Sequence, residues 1–181
     1  MRIGKLDGAR RQLHTAITLY FAEGDPVSIH SLAAAAYQLL DDLIAKHGAG
    51  PHGFKDLLLK LVKPEDVTIV RQKLNEAQNF FKHADRDRDG SLDFRPETTE
   101  LLLVEACERY FALTGEGVPT FDVFRAWFML GGFGTQFVLP AELEKARLLA
   151  RGAFGCTSRH SFFVEVLPMV AMARAGGVPP G

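Results

Sequence analysis

Cysteine is scarce: Cys107 and Cys156 are the two in 181 residues. They form no CxxC pair, and with no secretory signal two free thiols in a reducing compartment are expected. Long apolar runs are missing as well. None approaches the roughly 18 residues that a membrane span needs, and Met1-Arg2-Ile3-Gly4-Lys5 opens no apolar leader. The expectation is a cytoplasmic protein without membrane contact. Charge of one sign is also lacking. The 21 Lys and Arg nearly balance 22 Asp and Glu, for a net charge of −1 and a pI near 6.6. That argues against broad binding to nucleic acid or an anionic membrane and leaves room for a local basic patch. Strand-like alternation is nearly absent.

What is present is an ordinary globular composition, 47% hydrophobic and 24% charged. A chain of this length buries roughly 70% of its unfolded surface and needs no covalent staple. The pattern predicts an all-α fold, a single domain over 1–181 with about five to seven helices. The first helix is expected over 6–22, with Leu13, Ile17, Tyr20 and Phe21 on its apolar face and Gly24 behind it. Asp25 as N-cap and Pro26 at the first helical position start the second. Ile29, Leu32, Ala33, Ala36, Leu40, Leu43 and Ile44 follow at helical spacing. A short amphipathic piece carries Phe54, Leu57, Leu58 and Leu61. Pro64 opens a third long helix whose stripe, Val67, Val70, Leu74, Ala77, Phe81 and Ala84, ends near Ala84.

Pro96 opens a fourth, with Thr99, Leu102, Leu103, Ala106, Tyr110 and Leu113 inward and Gly115 as its stop. A fifth covers 121–129. The sixth spans 140–151, with Glu142 and Glu144 early and Arg147 and Arg151 late, as the helix dipole favours. The seventh covers 158–174 with Pro168 inside it. Residues 135–175 are read as a small C-terminal helical hairpin, and 176–181 as a frayed tail.

The most specific stretch is Asp85-Arg86-Asp87-Arg88-Asp89-Gly90-Ser91-Leu92-Asp93. It resembles an EF-hand calcium loop. Asp85, Asp87 and Asp89 occupy positions 1, 3 and 5, Gly90 makes the turn at 6, Ser91 offers a carbonyl at 7, and Asp93 sits at 9. Position 12, which needs a bidentate carboxylate, is Pro96; Glu97 comes one residue late, about 100° around a helix. The resemblance implies Ca2+ held by Asp85, Asp87, Asp89, Ser91, Asp93 and Glu97. The plainer alternative is a solvated, self-paired surface loop in which Asp and Gly make the turns.

Asn79 and His83 lie four apart, on one helical face. Gln78-Asn79-x-x-x-His83 resembles the Arg-Asn-x-x-x-His signature of HEPN-domain ribonucleases, helical bundles that pair their histidines across a dimer. The resemblance implies RNA binding or cleavage on Asn79 and His83. Gln78 stands where that family has Arg and lacks the guanidinium that stabilises a phosphorane. The plainer alternative is a helix-end histidine bonded to a carbonyl or to Asp85.

A wider resemblance runs through Asp25-Pro26-Val27-Ser28-Ile29-His30-Ser31-Leu32, through Asn79-Phe80-Phe81-Lys82-His83-Ala84-Asp85-Arg86-Asp87 and on to Leu113-Thr114-Gly115. It is to a group of short bacterial helical proteins. It implies a bacterial origin and a discrete small protein, and it carries no activity.

No HExxH or HxxxH pair exists among His14, His30, His47, His52 and His160, and Gly131-Gly132-Phe133-Gly134 follows no strand, so it is read as a connector. His30 is read as a core or interface polar group, and Cys107 as packing. The aromatics Phe121, Phe124, Trp127, Phe128 and Phe133 are read as core, with one part available to a groove or dimer surface. The leading expectation is a non-enzymatic homodimer or partner-binding module with no resident cofactor. Calcium binding and a HEPN-like RNA-binding dimer are the alternatives.

Overall fold

The computed structural model describes residues 1–46, 68, 75–83, 89–130, 141–154 and 158–176. Seven helices appear among them and no strand, so the fold is all-α. They are α1 (Lys5–Phe21), α2 (Pro26–Lys46), α3 (Glu76–Lys82), α4 (Thr98–Thr114), α5 (Pro119–Leu130), α6 (Ala141–Phe154) and α7 (Arg159–Arg174). Residues 47–67 and most of the expected third-helix stripe lie outside the described residues, as do Gly131–Gly134 by number, and Cys156.

Local chemistry sets the helix ends. α1 closes in a Schellman turn: Gly24 N–H donates to Leu19 O and Glu23 N–H to Tyr20 O. Glu23, at φ 55°, takes the left-handed position, and Gly24 follows it. Asp25 then caps α2, its Oδ2 accepting the Ser28 N–H at 2.7 Å. The Ser28 hydroxyl, and after it the Ser28 N–H, hold the Asp25 carboxyl below its ordinary pKa. Gly115, at φ 65°, ends α4 with its N–H on Phe111 O. Ser158 caps α7 by accepting the Ser161 N–H.

α1 packs on α2 across the tight 22–25 turn, and α2 packs on α4. α1 also meets α4, α5 and α7, so it is the central helix of the bundle. Leu13, Ile17 and Phe21 of α1, Ala33, Tyr37 and Leu40 of α2, Leu103 and Tyr110 of α4, Phe121 and Phe124 of α5 and Phe162 of α7 form one buried cluster. Small residues at Ala33, Ala34 and Ala36 on α2 are all buried.

The aromatic part is dense. Phe21 stacks on Phe163 at 4.6 Å between centroids, and Tyr20 meets Phe124 edge-on at 5.3 Å. Phe162 and Phe163 thus bring α7 into the main core. At its far end Arg174 binds Asp122 of α5 at 2.7 Å. Gly117 leaves the space that this guanidinium fills; a Cβ there would lie 1.8 Å from Arg174 Cζ. No described helix is long and apolar enough to cross a membrane.

Candidate functional site

The residues singled out in the sequence are placed as follows. Asn79 is exposed on α3, and His83 is half-buried just past its end, its N–H donating to Asn79 O at 3.1 Å. Asp85 and Asp87 lie outside the described residues. Asp89, Ser91, Asp93 and Glu97 are exposed, and Leu92 is half-buried. α4 begins at Thr98, two residues past loop position 12, after turn bonds from Thr98, Thr99 and Glu100 back to Arg95, Pro96 and Glu97. Among the described residues no group of three His, Cys, Asp or Glu is placed to hold a metal.

The loop is anchored from inside. Phe81 and Phe94 meet edge-on at 5.3 Å, and both present edges to the buried His30 ring. His30 Nδ1 lies 3.0 Å from Thr99 Oγ1, and Nε2 has no partner among the described residues. Burial holds this imidazole below its ordinary pKa, so it is neutral and packs as a core group. Cys107 is buried and its thiol is pushed well up by that burial, which makes it a packing residue without nucleophilic character.

Two polar constellations were not visible in the sequence. Arg109 is 1% exposed and binds Glu105 at 2.7 Å, Asp41 at 3.1 Å and the Tyr37 hydroxyl at 3.0 Å, with its guanidinium 4.5 Å above the Tyr37 ring. Burial opposes its charge; Tyr37, Glu105 and Asp41 together outweigh that and hold the guanidinium above its ordinary pKa. The second is a chain through Tyr20. Its hydroxyl donates to Glu100 Oε1 at 2.6 Å and accepts from the Trp127 indole N–H at 2.9 Å, while Arg159 lies 4.6 Å above the ring. Burial, then Glu100, raises the Tyr20 pKa far above its ordinary value.

The surface carries a third feature. On α7, Phe162, Phe163, Val166, Leu167 and Val170 turn to the core. The opposite side holds Val164, Pro168, Ala171, Met172 and Ala175, spaced 4, 3, 1 and 3 apart, which places them on one face. All five are exposed, Val164 at 56% and Met172 at 38%, with Met169 beside them at 48%. Leu148 and Leu149 of α6 are exposed at 60 and 70%. Glu165 is the charged residue within this arc of α7. Periodicity over 158–174 hides the second face, because apolar residues surround the helix. No family model, curated protein or solved structure matches the chain.

Proposed function

We propose that this chain acts without catalysis, as a protein-docking module whose outward α7 face is covered by the same face of a second copy. The observation that carries this reading is that α7 is apolar on two opposite sides. A helix apolar all round is a buried helix, and the core of this chain takes one side alone. Single exposed apolar residues are ordinary; a row of five on one face, with one carboxylate at its side, is the composition of an interface centre. Leu148 and Leu149 on α6 add exposed apolar surface to the same C-terminal third. Sedimentation velocity over a dilution series tests it. Reversible dimers are expected, and Val164→Glu with Met172→Glu should yield folded monomers that melt like the native chain at dilutions where it too is monomeric. A wild-type monomer at every concentration overturns the self-pairing.

A second reading is calcium binding at loop 85–97. What supports it is the helix–loop–helix order of α3 and α4, with Phe81 and Phe94 packed together across the loop. Melting in EDTA and in millimolar Ca2+ tests it: a ligand at about 100 times its Kd adds about 2.7 kcal/mol. A rise that Asp85→Ala abolishes supports the site, and identical curves remove it.

A further inference from the structure

A cleft of about 400 Å3 opens where the C-terminal end of α1 meets the first turns of α2, α4 and α7. The chemistry of its walls is divided. Glu97, the N-cap of α4, and Glu100, three residues on in its first turn, both line the cleft. Arg159, at the first position of α7, also lines it, stacked over the Tyr20 ring. Pro26 and Ile29 of α2 add apolar surface to the lining. Its volume lies within the roughly 300–1,000 Å3 typical of small-molecule sites.

The walls are held before any ligand arrives. The Tyr20 hydroxyl is bonded on both sides, to Glu100 and to Trp127, which fixes the ring. Arg159 rests on that ring through a cation–π contact, and no ion pair joins it to a carboxylate of the described residues. A guanidinium stacked flat on an aromatic ring keeps its N–H fork free to take a carboxylate. Glu97 is exposed and Glu100 is half-buried.

We propose that this cleft binds a small zwitterion with an aliphatic side chain, an α-amino acid. Its ammonium sits between Glu97 and Glu100, its carboxylate on Arg159, and its side chain on Pro26 and Ile29. The site is independent of the α7 docking face, whose residues lie on later turns of that helix.

Trp127 is the chain's one tryptophan, and its indole is bonded to the ring that lines the cleft. Its emission therefore reports on the site. The full chain is titrated with L-leucine, with L-leucinamide, which keeps the ammonium and lacks the carboxylate, and with 4-methylpentanoate, which has the reverse. Calorimetry of the same titrations gives a readout that does not depend on Trp127. Saturable binding of leucine at up to millimolar concentration is expected. Each half-ligand should bind about tenfold more weakly or worse, the loss of one charge-assisted contact. Arg159→Ala should bind leucine and leucinamide equally, and Glu97→Gln, an exposed change that leaves the fold intact, should also weaken leucine. The proposal is overturned if leucine gives neither an emission change nor heat. Leucinamide binding as tightly as leucine overturns it too, as does unchanged leucine affinity in both variants.

Discussion

Arg109 shows how much one buried charge commits the structure. Its guanidinium reaches Asp41 and Tyr37 on α2 while Glu105 holds it from its own helix, so α2 and α4 are registered at a single point. Arg109→Ala leaves the Glu105 carboxylate buried without its cation, and a loss of about 3–5 kcal/mol in urea unfolding is expected. Replacing both partners, with Arg109→Met and Glu105→Leu, should recover much of that loss, because the desolvation penalty goes with the pair.

His30 gives a pH dependence of definite sign. Its folded-state pKa lies below the ordinary 6.5. Its contribution is therefore complete above 6.5. As pH falls from there toward the lowered folded value, the unfolded chain takes the proton first and stability falls. Unfolding followed from about pH 7 to about pH 5 should show this slope, and His30→Leu should flatten it. An unchanged slope in His30→Leu would assign the acid sensitivity to other groups.

At the scale of elements, α1 ends with a residue under strain. Glu23 holds φ 55°, which costs an L residue roughly 1–2 kcal/mol, while glycine would cost about 0.5–1 kcal/mol in chain entropy. Glu23→Gly should therefore raise stability by about 0.5 kcal/mol, read as a higher melting temperature. Phe21, buried and ringed by Phe124, Trp127, Phe162 and Phe163, ties α1 to α5 and α7. Phe21→Ala is expected to cost about 3–5 kcal/mol.

Most of the described helices were legible in the sequence; the third, expected unbroken from Pro64 to near Ala84, instead has a turn at Asn75, and α3 spans Glu76–Lys82. Asp25-Pro26 starts α2, Gly115 stops α4, Ser158 precedes α7, and the inward residues Leu13, Ile17, Leu40, Leu103 and Phe124 are all buried. Those features are local: a cap or a periodic face needs a few neighbouring residues. The pairings were not legible. Tyr20 meets Trp127 across 107 positions and Arg109 meets Asp41 across 68, and one sequence gives faces without saying which face meets which. Arg109 did leave a trace, since it falls three residues after buried Ala106 on the stripe that packs. Within the stretch read as a C-terminal hairpin, 135–175, Phe162 packs with Phe21 and Trp127.

For the whole molecule the question is what covers α7. The core spends itself on α1, α2, α4 and α5, and α7 seals the end of the aromatic cluster with one side while showing Val164, Pro168, Ala171 and Met172 to water. The near-zero net charge of the chain gives copies little mutual repulsion, which suits self-pairing. The four methionines make this face observable, because Met172 lies on it and Met169 beside it, Met129 is half-buried in α5, and Met1 is fully exposed at the terminus. The deciding measurement is the NMR relaxation of 13C-methyl-labelled methionines with a soluble paramagnetic probe, followed on dilution. With a docked α7 face, Met172 and Met169 are shielded at high protein concentration and gain accessibility on dilution or in the Val164→Glu, Met172-retaining variant, while Met1 and Met129 do not change. Met172 and Met169 accessible to the probe at every concentration would contradict the docking face.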